Sequence, residues 1–247
     1  MMKLLCSIIF VISALSGCAK KKIDTGGQST TMNKPDTTAK AVTNDSLHYL
    51  ALGDSYTIGE AVPQIDSYPY QLVNSLNAND TLHVKPPTII AVTGWTTDNL
   101  INAIAQSGLT NNKYDFVTLL IGVNDQYQHL SQDNYKLKFA QVLNTAINFA
   151  KGDSSRVFVL SIPDYGVTPF AGGNDATIGP QIDQFNAINK TISMNAHVHY
   201  LDITGISRLA ATQPNLIASD GLHPSGEMYM EWVQQLAPMI AAQLKKN

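Results

Sequence analysis

The chain has 247 residues, enough for one substantial hydrophobic core. A hydrophobic content of 44% excludes a chain that is disordered throughout. Charged residues make up only 14%, and the formal net charge of −3 gives no electrostatic reason to expect a nucleic-acid partner.

Residues 1–17 have the layout of a lipoprotein signal peptide. Lys3 supplies the positive start, and residues 4–15 form an apolar run too short for a bilayer core of roughly 30 Å. The run ends Leu15-Ser16-Gly17-Cys18, which resembles the bacterial lipobox. That resemblance implies cleavage before Cys18, lipid attachment to it, and a bacterial cell-envelope protein that meets the membrane only through this lipid. An ordinary signal peptide with a chance cysteine is the alternative. Cys6 and Cys18 are the only cysteines, so the mature chain is expected to lack an internal disulfide. Ala19, where an aspartate would resemble an inner-membrane retention signal, favours the outer membrane by analogy. The periplasmic and surface faces both stay open. Residues 18–46 are polar and aperiodic, and read as a flexible tether.

Residues 47–247 read as one domain of strands alternating with helices. The runs at 47–53, 88–92, 115–121, 156–162 and 198–203 are short, apolar and rich in β-branched residues, as strands buried on both faces of a parallel sheet are. Helical spacing is clearest after Ser131, a suitable N-cap. There Tyr135, Phe139, Val142, Leu143, Ala146, Ile147 and Ala150 share one face, and Gly152 is the expected C′ residue. Further helices are expected over 69–76, 97–105, 180–194 and 225–244, the last kinked at Pro238. The pattern predicts an α/β fold, a three-layer α/β/α sandwich around a parallel sheet of about five strands.

Four loops of this domain carry chemistry. The first strand ends at Gly53-Asp54-Ser55, the second at Thr93-Gly94-Trp95 and the third at Gly122-Val123-Asn124-Asp125. Asp220-Gly221-Leu222-His223-Pro224 precedes the last helix. In a parallel sheet the first three open on one edge. A serine nucleophile needs a base and a group that orients the base. His223 can take the proton of Ser55, and Asp220, three residues earlier, can hold the imidazole tautomer.

In order and spacing, these four blocks resemble the SGNH (GDSL) hydrolase family over nearly all of 47–247. The resemblance implies a flavodoxin-like SGNH fold and a serine esterase acting on acyl or acetyl esters of lipids or carbohydrates. It assigns Ser55, Asp220 and His223 as catalytic. It assigns the oxyanion hole to the backbone N–H groups of Ser55 and Gly94 and the side-chain amide of Asn124. Glycine at 94 would give a substrate oxygen room that a Cβ denies. Neither cofactor nor metal is expected, and the domain is expected to be a monomer acting on a small-molecule or glycan ester.

Asp54 reads as a turn-holding residue, while Asp125 receives no role. Trp95 and Tyr165 are candidate substrate-pocket residues, with core packing an equal alternative for Trp95. The segment 163–180 is a long loop over the same edge, without a readable role. His197 and His199 alternate like one strand face, where solvent-facing positions outweigh a metal site. Two other functions stay in view, a non-catalytic ester- or glycan-binding lipoprotein on the same fold and, less favoured, a metallophosphoesterase.

Overall fold

A computed structural model of the chain describes residues 46–78 and 82–245. The expected signal peptide, Cys18 and the tether up to residue 45 lie outside the described residues.

Strand β1 (Tyr49–Gly53) is buried along its length and pairs in parallel with β2 (Thr88–Ala91) on one side and β3 (Phe116–Leu120) on the other. Strands β4 (Val157–Leu160) and β5 (His199–Leu201) extend the sheet to the order β2-β1-β3-β4-β5. Each strand falls inside the apolar run that predicted it. Helices α1 (Ser55–Ile58) and α2 (Tyr68–Asn77) connect β1 to β2, and α3 (Thr97–Gln106) connects β2 to β3. Helices α4 (Val123–Tyr127) and α5 (Gln132–Phe149) lead to β4, α6 (Asp175–Asn195) leads to β5, and α7 (Thr204–Arg208) and α8 (Gly226–Leu244) close the chain.

The strand order reverses direction at β1. Right-handed crossovers therefore put α2 on one face and α3, α5 and α6 on the other. Helix α8 packs against α2, and α5 packs between α3 and α6, which gives the three-layer α/β/α sandwich. The layers meet over large buried rings. Tyr49 stacks on Phe116 with centroids 4.4 Å apart, and Trp232 lies edge-on to Tyr229 at 5.0 Å. Thr118, a polar residue inside buried β3, is paired rather than orphaned. Its hydroxyl meets those of Tyr49 at 2.7 Å and Tyr68 at 3.1 Å.

Two boundaries differ from the sequence pattern. Helix α6 begins at Asp175 and runs through Pro180 instead of starting there. Ile178, Ile182, Phe185 and Asn189 form one buried face across the proline, and packing along that face offsets the hydrogen bond that proline lacks. Helix α5 ends with Lys151, not Gly152, as its first left-handed residue, at φ +61°. The Gly152 N–H reaches back to the Ile147 carbonyl at 2.9 Å, the bond of a Schellman turn with Lys151 at C′, one residue earlier than the glycine predicted. Helix α8 is continuous through Pro238.

Strand β1 leaves the sheet at Gly53, and here a side chain has no room. A Cβ would stand 2.4 Å from the Leu120 carbonyl oxygen and 2.0 Å from the Thr57 hydroxyl. Leu120 belongs to the neighbouring strand, so relief requires the backbone to move. Gly53→Ala is therefore expected to cost about 1–3 kcal/mol, read as a lower urea midpoint at unchanged slope. A variant as stable as the parent would contradict this close approach.

Candidate active site

The carboxyl ends of β1 and β3 lie at the point where the strand order reverses, where open α/β sheets keep their ligand crevice. A cleft of about 150 Å³ opens there, and Ser55, Gly94, Asn124 and His223 line it together with Tyr165. The loops after β1, β2 and β3 and the one before α8, separate in sequence, thus share one space.

Ser55 is the first residue of α1 and almost wholly buried. Asp54 caps that short helix, its Oδ1 accepting the Tyr56 N–H at 3.0 Å. Gly59 ends the helix in a left-handed turn at φ +77°. The serine is thereby fixed at a sharp strand-to-helix turn. Among the described residues no hydrogen bond engages its hydroxyl, as is common before substrate tightens a site.

The loop that carries His223 is locked by its own backbone. Ala218 N–H donates to the His223 carbonyl at 2.8 Å, and Ser225 N–H donates to the Leu216 carbonyl at 2.8 Å. Asp220 Oδ1 accepts the N–H groups of Leu222 and His223, each at 3.0 Å, while its Oδ2 lies 2.6 Å from His223 Nδ1. A carboxylate there assigns the proton to Nδ1 and leaves Nε2 as an acceptor. Burial alone would raise the Asp220 carboxyl, but the His223 hydrogen bond and the two backbone N–H donors outweigh it. They hold Asp220 below the ordinary carboxylate range. The edge of the Tyr56 ring meets the imidazole with centroids 5.5 Å apart, so the residue after the serine also fixes the histidine.

Asn124 is the second residue of α4, whose N-cap Gly122 has a φ of +128° that only glycine adopts readily. The Asn124 Nδ2 donates one hydrogen to the Trp95 carbonyl at 3.0 Å. A carboxamide carries two, so one remains for the cleft. Gly94 has φ +82°, and a Cβ built on it meets nothing within 4 Å. The protein itself does not crowd this position; the glycine answers a backbone conformation.

For Trp95 the structure favours core packing, the second of its two sequence readings. It is not among the cleft's lining residues, and its half-buried ring packs on the core. Its backbone carbonyl is what serves the site, by orienting Asn124. Tyr127, Leu222 and Phe170, the last within the 163–180 loop, also line the cleft and were not expected to from the sequence. Asp125 now has a visible task. Its Oδ2 accepts the N–H of Thr97 at 2.9 Å and its hydroxyl at 3.0 Å, which ties α4 to the start of α3. Among the described residues no group of three or more His, Cys, Asp or Glu side chains converges as metal ligands would.

The sequence profile of the GDSL-like lipase/acylhydrolase family matches residues 51–230. No curated protein sequence matches the chain. Among solved structures, a psychrotrophic esterase from Pseudoalteromonas sp. is similar with a TM-score of 0.62 at 15% identity, covering 81% of this chain and all of that one, 100%. An acetylxylan esterase from Geobacillus stearothermophilus gives 0.61 at 18%, covering 81% of this chain and 95% of that one. A carbohydrate acetylesterase from Sinorhizobium meliloti gives 0.57 at 17%, covering 80% and 99%. At these identities the likeness shows a shared fold.

Asp54 carries a pH signature of its own. Burial pushes its carboxyl up to about 8, and its Oδ2 has no hydrogen-bond partner. Below an ordinary carboxylate pKa of about 4 the folded and unfolded chains both hold this proton. Above it only the fold does, so stability falls by up to about 1.4 kcal/mol per pH unit until the folded group titrates. Asp54→Asn removes the titration and keeps an oxygen for the Tyr56 N–H. Between pH 5 and 8 the parent is expected to lose more stability than Asp54→Asn, measured by urea unfolding. Parallel profiles would show that Asp54 is ionised in the fold.

Proposed function

The chain belongs to the GDSL-like lipase/acylhydrolase family and is an SGNH-type serine hydrolase of ester bonds; from that premise we propose that Ser55 is its nucleophile, His223 the base and Asp220 the orienting carboxylate. The observation that carries this reading is the 2.6 Å pair of His223 Nδ1 with Asp220, opening on the cleft that Ser55 also lines.

The Ser55 Oγ attacks the ester carbonyl carbon and its proton passes to His223 Nε2. Asp220, ionised at neutral pH, stabilises the imidazolium. The carbonyl oxygen becomes an oxyanion and is met by the N–H groups of Ser55 and Gly94 and the second Nδ2 hydrogen of Asn124. In other enzymes one such donor is worth about 2.7–4 kcal/mol. Collapse breaks the bond to the alcohol, which leaves with the proton from His223, and the acyl group stays on Ser55. Water, deprotonated by His223, then attacks the acyl carbon, and the acid departs as Ser55 recovers its proton. A cleft of about 150 Å³ falls below the ~300–1,000 Å³ of drug-sized sites, which supports short acyl groups, on lipid or carbohydrate alcohols.

Residues that act as one unit fail as one unit. Ser55→Ala and His223→Ala are each expected to lower kcat on short-chain acyl esters by about 10³-fold or more, and the double variant no further. The check is a set of initial rates for the three variants and the parent. Multiplicative losses in the double variant, or a His223→Ala loss of only a few-fold, would place the base elsewhere.

A further inference from the structure

We infer that the mouth of the cleft is a subsite for the alcohol half of the ester, and that the alcohol it takes is a neutral sugar ring. This rests on the esterase reading above and names the substrate class of the same site.

Three aromatic side chains from two loops meet there. Tyr127 ends α4, while Tyr165 and Phe170 come from two short 3-10 turns after β4, Tyr165–Val167 and Pro169–Ala171. Ring centroids lie 6.1 Å apart for Tyr127 and Tyr165, 6.2 Å for Tyr127 and Phe170, and 6.5 Å for Tyr165 and Phe170. Tyr165 is buried, whereas Tyr127 and Phe170 are each 51% exposed. A cluster of large rings left half in water beside a buried serine and histidine is a contact surface waiting for a flat, partly apolar partner.

The cluster is also held in place. The Phe170 N–H donates to the Gly221 carbonyl at 3.0 Å, so its turn is tied to the loop of His223. One turn earlier Asp164, itself buried, accepts the Gly166 N–H at 2.8 Å and Arg208 Nε at 2.9 Å. Arg208 in turn reaches Asp183 at 2.8 Å. Rings fixed in this way lose little freedom when a ligand arrives.

Charge and size choose among alcohols. Among the described residues that line the cleft, His223 alone can carry positive charge and none is Lys or Arg, which gives an anionic headgroup no such partner there. The Thr93 hydroxyl, on the same lining, donates to the Glu60 carboxylate, which disfavours an anion further. A pyranose fits both features. Its C–H face carries slight positive charge and rests on the negative face of a ring. Its hydroxyls can donate to Glu60 and exchange hydrogen bonds with Thr93.

The test compares two acetate esters that differ only in the alcohol, ethyl acetate and methyl 6-O-acetyl-glucopyranoside, by pH-stat titration. The parent is expected to prefer the sugar ester. Tyr127→Leu and Phe170→Leu, which keep apolar bulk and lose the π face, are each expected to lower the ratio of kcat/KM for sugar ester over ethyl ester by about three- to tenfold. Tyr127→Phe is expected to restore most of it. Calorimetric binding of the sugar ester to Ser55→Ala, with and without Phe170→Leu, reads the subsite without turnover. If the ethyl ester turns over but neither leucine variant moves the ratio, the subsite is overturned and the esterase reading stands. If neither ester turns over while Ser55→Ala binds the sugar ester through Phe170, the subsite stands and the esterase reading falls. If the leucine variants instead lose activity only on lysophosphatidylcholine micelles, the rings face lipid, and the sugar assignment is overturned.

Discussion

Strand β1 lies between β2 and β3, and the chemistry of this protein depends on that placement. A strand with parallel neighbours on both sides, reached by crossovers on opposite faces, leaves a crevice at its carboxyl end that no helix fills. Ser55 follows β1 into that crevice, Gly94 follows β2 and Asn124 follows β3. The Leu120 carbonyl so close to Gly53 is the local form of the same constraint: β3 presses on β1 where the chain must turn. His223 arrives from a distant part of the sequence, on a loop that ends at α8, and α8 packs on the helix that follows Ser55 by way of α2.

Within this crevice, buried carboxylates act as struts. Asp54 holds the turn of Ser55, Asp125 ties α4 to α3, and Asp164 fixes the turn that bears Tyr165. An acidic group loses hydration on burial, and burial pushes Asp54 up to about 8 and Asp125 up to about 6. Asp220 contrasts with them. Hydrogen bonds from His223 and two backbone N–H groups hold it low, so the carboxylate facing the imidazole keeps its charge. Environment thus moves Asp54 and Asp125 one way and the acid that meets the histidine the other.

The parts legible in the sequence are those set by short-range rules. Apolar runs marked the five strands, and Ser131 marked the start of α5 through its cap on Asn134. The blocks around Ser55, Gly94 and Asn124 could be aligned on one sheet edge because parallel topology leaves few choices, whereas His223 joined them through the family resemblance and the need for a base. What stayed hidden depends on side-chain direction and on distant partners. Trp95 stands next to Gly94 in the chain, yet its ring packs on the core while Gly94 faces the cleft. The reach of α6 past Pro180 follows from a buried face made only when the helix docks. Tyr127 and Phe170 carry no signal of their own, since a lone aromatic in a loop becomes a surface only when two loops converge.

The central claim is that Ser55 is the residue made nucleophilic by the His223–Asp220 pair. A fluorophosphonate forms a stable bond to an activated serine oxygen as fluoride leaves, so intact-mass and peptide analysis of the treated protein tests the claim most directly. One phosphonyl adduct is expected, mapped to Ser55, absent in Ser55→Ala and slowed by His223→Ala. An unlabelled parent, or an adduct that persists in Ser55→Ala, would contradict it.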